Sequence, residues 1–521
     1  MTITFEQFLD QLPKAPRLRI ALSPSEFARH GIEDPHPFPA FVPPKLRQSA
    51  EALHSPSILL ISAPGAVGKT TLAREIARHC GSPLWHLGQV NVGHEFLTGA
   101  IARAFGDVEY SRVKCELAEG QRALVLDGLD EARLRAGEHN FEAFLERLAD
   151  DFRSAPERPA LILLGRTDAI GETAEWLELF SVPVARYEIE YFDSDSAASF
   201  IGAYLDQHSE TRPHREAPEQ FAQARDAILD RLKMAVPEGV DPRSLAGYAP
   251  VLALVSELLD VGNPWAELQA VRRDSERWRL ETLVGDIARG LLDREHKKTV
   301  EKLEDDFATQ AVAAAFRWTT AYQRDEQCLR LLANSVAYSL EAPPPAALPR
   351  ELREPYERHL KKWVGEHPFT AQPLFLEYAY AWLFTSGLVE PQLSAAVRAR
   401  LAAAGGSTRA YRPTPLLARF VADSAAGATG RPQFRLQAED FGFVYESAVA
   451  GLPLQERHSL TLVSSTDDGE ILGEFTSGDM AAGVGRHVPV HLLDAGEGLW
   501  LWRRLSGSVP TSVEKGNGVT S

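Results

Sequence analysis

The octet Ala63-Pro64-Gly65-Ala66-Val67-Gly68-Lys69-Thr70 sets two glycines, a lysine and a hydroxyl at a spacing suited to holding oxyanions. Before it runs Ile58-Leu59-Leu60-Ile61, and after it Leu72, Ile76 and Cys80 recur at four-residue spacing. Strand, turn and amphipathic helix in that order are the context a P-loop requires. Gly65 and Gly68 let backbone N–H groups approach phosphate oxygens without an intervening Cβ, and the helix start adds its positive end. Lys69 is then placed for the β- and γ-phosphates and Thr70 Oγ1 for Mg²⁺, with Thr71 completing the nucleotide-binding stretch from Ala63. Ala63 stands where the strict pattern has glycine, a tolerated exchange.

A second acidic element is Ala123-Leu124-Val125-Leu126-Asp127-Gly128-Leu129-Asp130-Glu131. Its apolar residues predict a buried strand, and Asp127 emerges at the carboxyl end, where open α/β sheets bind ligands. A carboxylate there can hold Mg²⁺. Asp130 and Glu131 are candidates to orient or deprotonate an attacking water, Asp130 being preferred. A third run, Leu161-Ile162-Leu163-Leu164, ends in Gly165-Arg166-Thr167-Asp168. Arg166 suits the sensing of a γ-phosphate because a guanidinium meets phosphate in fork geometry; pairing with Asp168 is the alternative. The expected catalytic set is Lys69, Asp127, Asp130, Glu131 and Arg166, acting on ATP or GTP with Mg²⁺.

Positioning these residues takes an α/β core, a parallel sheet with helices on both faces, over residues 46–190. The first three apolar runs read as strands covered on both faces. A fourth, Tyr187-Glu188-Ile189-Glu190-Tyr191, alternates and is expected at an edge. Residues 1–45, proline-rich towards their end, read as a lead-in arm. A helical lid is expected over 191–265, with Asp193-Ser194 capping a helix that carries Ala197, Phe200, Ile201 and Tyr204 on one face. Further helices follow over 266–402, including stretches in 251–259 and 311–340. Pro343-Pro344-Pro345 breaks the helical run, 403–432 is a linker region, 433–506 a small β-rich module, and 507–521 a polar tail.

Composition limits the function classes. In 521 residues, 44% hydrophobic and 24% charged side chains fit an ordinary globular protein of several domains. With 55 basic against 72 acidic side chains, the net charge of −17 argues against non-specific nucleic-acid binding. A local basic patch, such as one at Arg272 and Arg273, leaves a DNA-acting ATPase open. Cys80, Cys115 and Cys328 are too scattered for a disulfide framework or metal cluster. No secretion signal or apolar run of ~18 residues is visible, so a cytoplasmic protein without membrane insertion is expected.

Taken in order, these motifs resemble the STAND class of P-loop NTPases and, within it, the NACHT family. Gly128 and Asp130 match the small residue and second acid that this family sets after its Mg²⁺ aspartate. Gly165-Arg166-Thr167 is similar to its strand-end arginine motif, with Thr167 at the usual proline. Leu245-Ala246-Gly247-Tyr248-Ala249-Pro250-Val251-Leu252 resembles the segment whose proline packs near adenine. Phe369-Thr370-Ala371-Gln372-Pro373-Leu374-Phe375 resembles the end of a winged-helix domain, where many members place a histidine on the ADP β-phosphate; here Gln372 holds that position, with His367 nearby.

The resemblance implies an ATP/ADP-controlled switch with slow, regulatory hydrolysis. ADP would hold the NTPase, helical and winged-helix-like parts closed, and ATP would open them towards a homo-oligomer. It implies signalling or anti-phage defence through a protein effector or trigger. The C-terminal module shows no catalytic set: His458, His487 and His491 are scattered, while Trp500 and Trp502 share a strand face. A ring-forming AAA+-like remodelling motor is the alternative, using a trans arginine such as Arg112, Arg133 or Arg153.

Overall fold

In the computed structural model the described residues are 1–50, 56–153, 158–236, 240–306, 372–385 and 391–404, three strands within 460–503, and a few single positions. The chain divides into two compact units, Met1–Asp230 with Pro242–Arg272, and Arg231–Asp241 with Arg273–Ser521.

The first unit is built on one mixed sheet of eight strands: β1 (Thr2–Ile3), β2 (Ile32–Glu33), β3 (Leu46–Ala50), β4 (Ile58–Ser62), β5 (Leu84–His86), β6 (Leu124–Asp127), β7 (Leu161–Gly165) and β8 (Val184–Ile189). Their order is β1-β3-β8-β4-β7-β6-β5-β2. The five inner strands β8-β4-β7-β6-β5 are parallel, and antiparallel strands extend both ends. Every residue of β4, β6 and β7 is buried. Such apolar runs have no solvent-facing side, which favours central strands covered by crossover helices. Those helices are Lys69–His79, Phe96–Ala118, Glu138–Phe152 and Thr167–Leu179. Parallel pairing brings the carboxyl ends together: Ser62 lies opposite Gly165, and Asp127 opposite Leu164 on one side and His86 on the other.

Two expectations are corrected. The strand containing Tyr187 is internal, pairing antiparallel with β3 and parallel with β4. Its alternation reflects one partly solvated face, where Arg186 pairs with Glu178 and Glu188 with Arg47. Half-burial by face and position at an edge leave the same periodicity. The segment 1–45 is also more than an arm, since β1 and β2 supply both edges of the sheet. Phe5, Phe8, Leu12, Leu18 and Ile32 are buried, and Phe8 meets Tyr187 edge-to-face at 5.1 Å. Two-residue strands are too short to show a period.

The expected helix after residue 193 spans Ser194–His208 with Ala197 and Ile201 buried, and it packs on the helix Ala249–Leu259. Asp193 accepts from Ser196 N at 2.9 Å and from Lys45 Nζ at 2.7 Å. The Lys45 bond, then the Ser196 N–H, bring its carboxyl down to about 2. A depressed folded-state value means stability that is present above the unfolded value of about 3.9 and lost as pH falls towards 2. Asp193→Ala is therefore expected to cost about 1 kcal/mol at pH 7, with the difference from wild type shrinking below about pH 4. Denaturant titrations at pH 7 and near pH 2.5 check this; a pH-independent difference would contradict it.

In the second unit, the helix Pro373–Thr385 packs against Leu280–Asp306 and Pro391–Ala404. Leu374, Phe375, Leu376, Tyr380 and Ala381 are all fully buried, so that helix is apolar around most of its girth, the mark of a core helix. The C-terminal region contains a three-stranded antiparallel sheet of β9 (Leu460–Ser464), β10 (Ile471–Phe475) and β11 (Leu499–Arg503), with β9 central. Trp500 and Trp502 lie in register with Val463 and Thr461. Most of 311–340, the prolines 343–345, most of 403–432, His458, His487, His491 and the tail 507–521 lie outside the described residues.

Candidate functional site

β4 leaves the sheet at Ser62, and residues 63–68 turn back into the helix Lys69–His79. Ala66 (φ 62°) and Gly68 (φ 93°) both adopt left-handed backbone. Glycine does so freely, while for alanine it costs roughly 1–2 kcal/mol. A strained residue persists only where its surroundings over-determine the loop, as at ligand clamps. Here Ala63 N donates to Gly165 O at 3.3 Å, and Tyr248 Oη donates to Gly65 O at 3.1 Å.

Lys69 Nζ donates to the carbonyls of Ala63 (2.8 Å) and Pro64 (2.9 Å), folding back over its own loop. Burial pushes the ammonium below its ordinary value, and the charge of Asp130 opposes that shift. Two neutral carbonyls compensate a desolvated cation less well than an anion would.

Thr70 Oγ1 donates to Asp127 Oδ2 at 2.6 Å. Asp127, 6% exposed at the end of β6, has its carboxyl pushed up by burial against the Thr70 hydrogen bond. Gly128 (φ 85°) then turns the chain into the helix Leu129–Ala136, whose first turn carries Asp130 and Glu131. Asp130 accepts from Arg166 N at 3.2 Å, and its Oδ2 lies 3.3 Å from Arg166 Nε. Arg166 thus pairs with Asp130 across the sheet edge, while Asp168, its chain neighbour, is exposed. Glu131 packs on Gly88 so closely that a Cβ there would lie 1.9 Å from its Oε2.

Lys69, Thr70, Asp127, Asp130, Glu131 and Arg166 therefore converge on one edge of the first unit, around the loop from Ala63 to Thr71. Pro250 is buried at the start of the helix Ala249–Leu259, two residues after the Tyr248 that touches the loop. Gln372 belongs to the second unit, where it is buried at the start of Pro373–Thr385 and its backbone carbonyl accepts from Phe375 N at 3.0 Å. His367 lies outside the described residues.

Sequence reasoning missed Tyr248 as a loop contact and a second group beside Asp127. His86, in register with Asp127, places Nε2 2.8 Å from Glu33 Oε2, and Arg74 grips the same carboxylate at 2.6 and 3.1 Å. Burial raises the Glu33 carboxyl, but the bonds from His86 and Arg74 outweigh it and bring it down to about 2. That group ties the helix Lys69–His79 to β2 and β5. No signal marked it, because Glu33 falls in the segment read as an arm.

Arg112, Arg133 and Arg153 each sit in an ion pair within the chain, with Glu109, Glu172 and Asp150. Arg272 and Arg273 are exposed, Arg272 donating to Gln223. Cys80 is buried, its thiol pushed up to about 12 by burial, and Cys115 is exposed; both are free thiols. Among the described residues no group of three or more His, Cys, Asp or Glu side chains is placed to hold a metal, and no helix is long and apolar enough to cross a membrane. No protein-family model matches the chain, and no curated protein matches it.

Proposed function

We propose that the chain is a P-loop NTPase of the STAND class with NACHT-like organisation, working as an ATP/ADP switch that hydrolyses slowly. The observation that carries this reading is that Lys69 and Arg166, two cations at the carboxyl edge of the sheet, both hold internal partners that a nucleotide's phosphates would replace. The strained loop beside them supplies backbone at the start of an eleven-residue helix, a favourable place for an anion.

Thr70 Oγ1 and Asp127 Oδ2 are hard oxygen donors that fit Mg²⁺, which when bound neutralises charge on the β- and γ-phosphates. With so few protein donors, the cation would take its remaining ligands from phosphate and water. Lys69 would exchange the Ala63 and Pro64 carbonyls for phosphate oxygens. Arg166 would exchange Asp130 for the γ-phosphate, leaving Asp130 able to accept a proton from the attacking water. ADP has no γ-phosphate, so the Arg166–Asp130 pair persists. Two arrangements of one ion pair, each favoured by a different nucleotide, make a population switch.

On this reading Tyr248, followed by Pro250, carries the state of the loop into the helical segment. The second unit supplies a winged-helix-like part with Gln372, and the C-terminal sheet a sensor or docking surface. The active form would be a homo-oligomer acting with a protein effector in the cytoplasm, in signalling or defence. Arg166→Ala tests the reading. ATP affinity is expected to fall about tenfold, the worth of one charge-assisted hydrogen bond, while ADP affinity stays within about twofold. Equal losses for both nucleotides, or none, would sink the role given to Arg166.

A further inference from the structure

A concavity lies on the first unit, beside the edge strand β2 and its neighbour β5. It encloses about 270 Å³, and Arg29, Arg103 and Arg135 all line it, with His30, Gln89 and Asn91. The arginines come from three places: the turn Ala28–His30, the helix Phe96–Ala118 and the last turn of Leu129–Ala136. Among the described residues no carboxylate lines the cleft. Among the described residues none of the three arginines lies within ion-pair distance of an acidic group. In a chain with 72 acidic against 55 basic side chains, three guanidinium groups in one cleft, with no acid among its described lining residues, are a local reversal of sign. They repel one another, and an anion seated between them would relieve that repulsion.

Arginine, with planar donors in a fork, favours the tetrahedral oxygens of phosphate. The volume approaches the lower limit of small-molecule pockets and exceeds what one phosphate needs. Ile32 and Phe96 add apolar surface to the lining, suited to the non-ionic part of a ligand.

We propose that this cleft is a second anion site that binds a phosphate-bearing ligand of about nucleotide size, separate from the loop at Lys69. Its position couples it to that loop's surroundings. Arg135 donates to Gly88 O at 3.1 Å and to Asn91 Oδ1 at 3.3 Å, and Gly88 is the residue against which Glu131 packs. An occupant drawing on Arg135 therefore acts on the backbone that supports the acidic turn. The binding claim does not depend on the switch reading.

The test is calorimetric titration of pyrophosphate, without divalent metal, into the full chain carrying Lys69→Ala, which disables the phosphate loop. One-site binding is expected, weakened at least tenfold when Arg29→Ala and Arg103→Ala are added. Both arginines are exposed, so the added changes should leave the melting temperature unchanged. Pyrophosphate binding that disappears with Lys69→Ala alone would overturn the cleft site and leave the phosphate-loop reading standing. Binding untouched by the arginine changes would also overturn it. Thymidine monophosphate and an oligothymidylate without terminal phosphates, titrated into the same protein, separate a phosphomonoester ligand from a nucleic-acid strand.

Discussion

Lys69→Ala is expected to weaken ATP and ADP binding by at least about 100-fold while leaving the fold intact. The ammonium is held by two loop carbonyls, and a phosphate would replace both with charge-assisted hydrogen bonds. Each such bond contributes about 1.5–3 kcal/mol, and two of them amount to roughly 100-fold or more in affinity. Removing the side chain also removes a desolvated cation, so folding loses little. Calorimetry with both nucleotides, beside a thermal melt of the apo protein, gives the answer. Unchanged affinity in a folded variant would remove the loop from the account.

The largest expected loss of stability is at Arg122. Its side chain is 2% exposed; Nε donates to Glu116 Oε2 at 2.6 Å, and Nη1 donates to Pro16 O at 3.0 Å and Gly81 O at 3.3 Å. One guanidinium thus joins the N-terminal segment, the end of the helix Lys69–His79 and the end of the helix Phe96–Ala118. Arg122→Ala strips a donor from two carbonyls and from Glu116, whose other partner, Arg112, is 3.5 Å away. Breaking a buried ion pair from one side costs about 3–5 kcal/mol; Glu116 keeps some solvent, so about 3 kcal/mol is expected. Arg122→Lys should recover only part, because an ammonium cannot span three acceptors in fork geometry. Denaturant titration reads the effect, and an unchanged midpoint would contradict it.

What the residue order made legible is what it encodes locally. The octet 63–70 with its flanking strand and helix is contiguous, so its shape could be anticipated residue by residue. Strands β4, β6 and β7 announced themselves because burial on both faces demands unbroken apolar runs. By contrast, β5 is three residues long and β1 and β2 two each, too short for any period. The partner of Arg166 was equally hidden. Asp168 is two positions along the chain and Asp130 is thirty-six away, and only the β7-β6 pairing brings Asp130 near. Tyr248 and Gly65 are 183 positions apart, so their bond exists only in the folded chain. Tertiary pairing of charges and hydroxyls leaves no one-dimensional signature, whereas a contiguous strand, glycine-containing turn and helix does.

The most direct test of the switch is to purify the full chain gently, release any bound nucleotide and identify it by chromatography, with Lys69→Ala as the control. The account predicts tightly held ADP in the wild type, none in the variant, and slow ATP turnover. An empty site with rapid turnover would contradict the switch and favour a remodelling motor. Nucleotide retained by Lys69→Ala would contradict the place given to the loop itself.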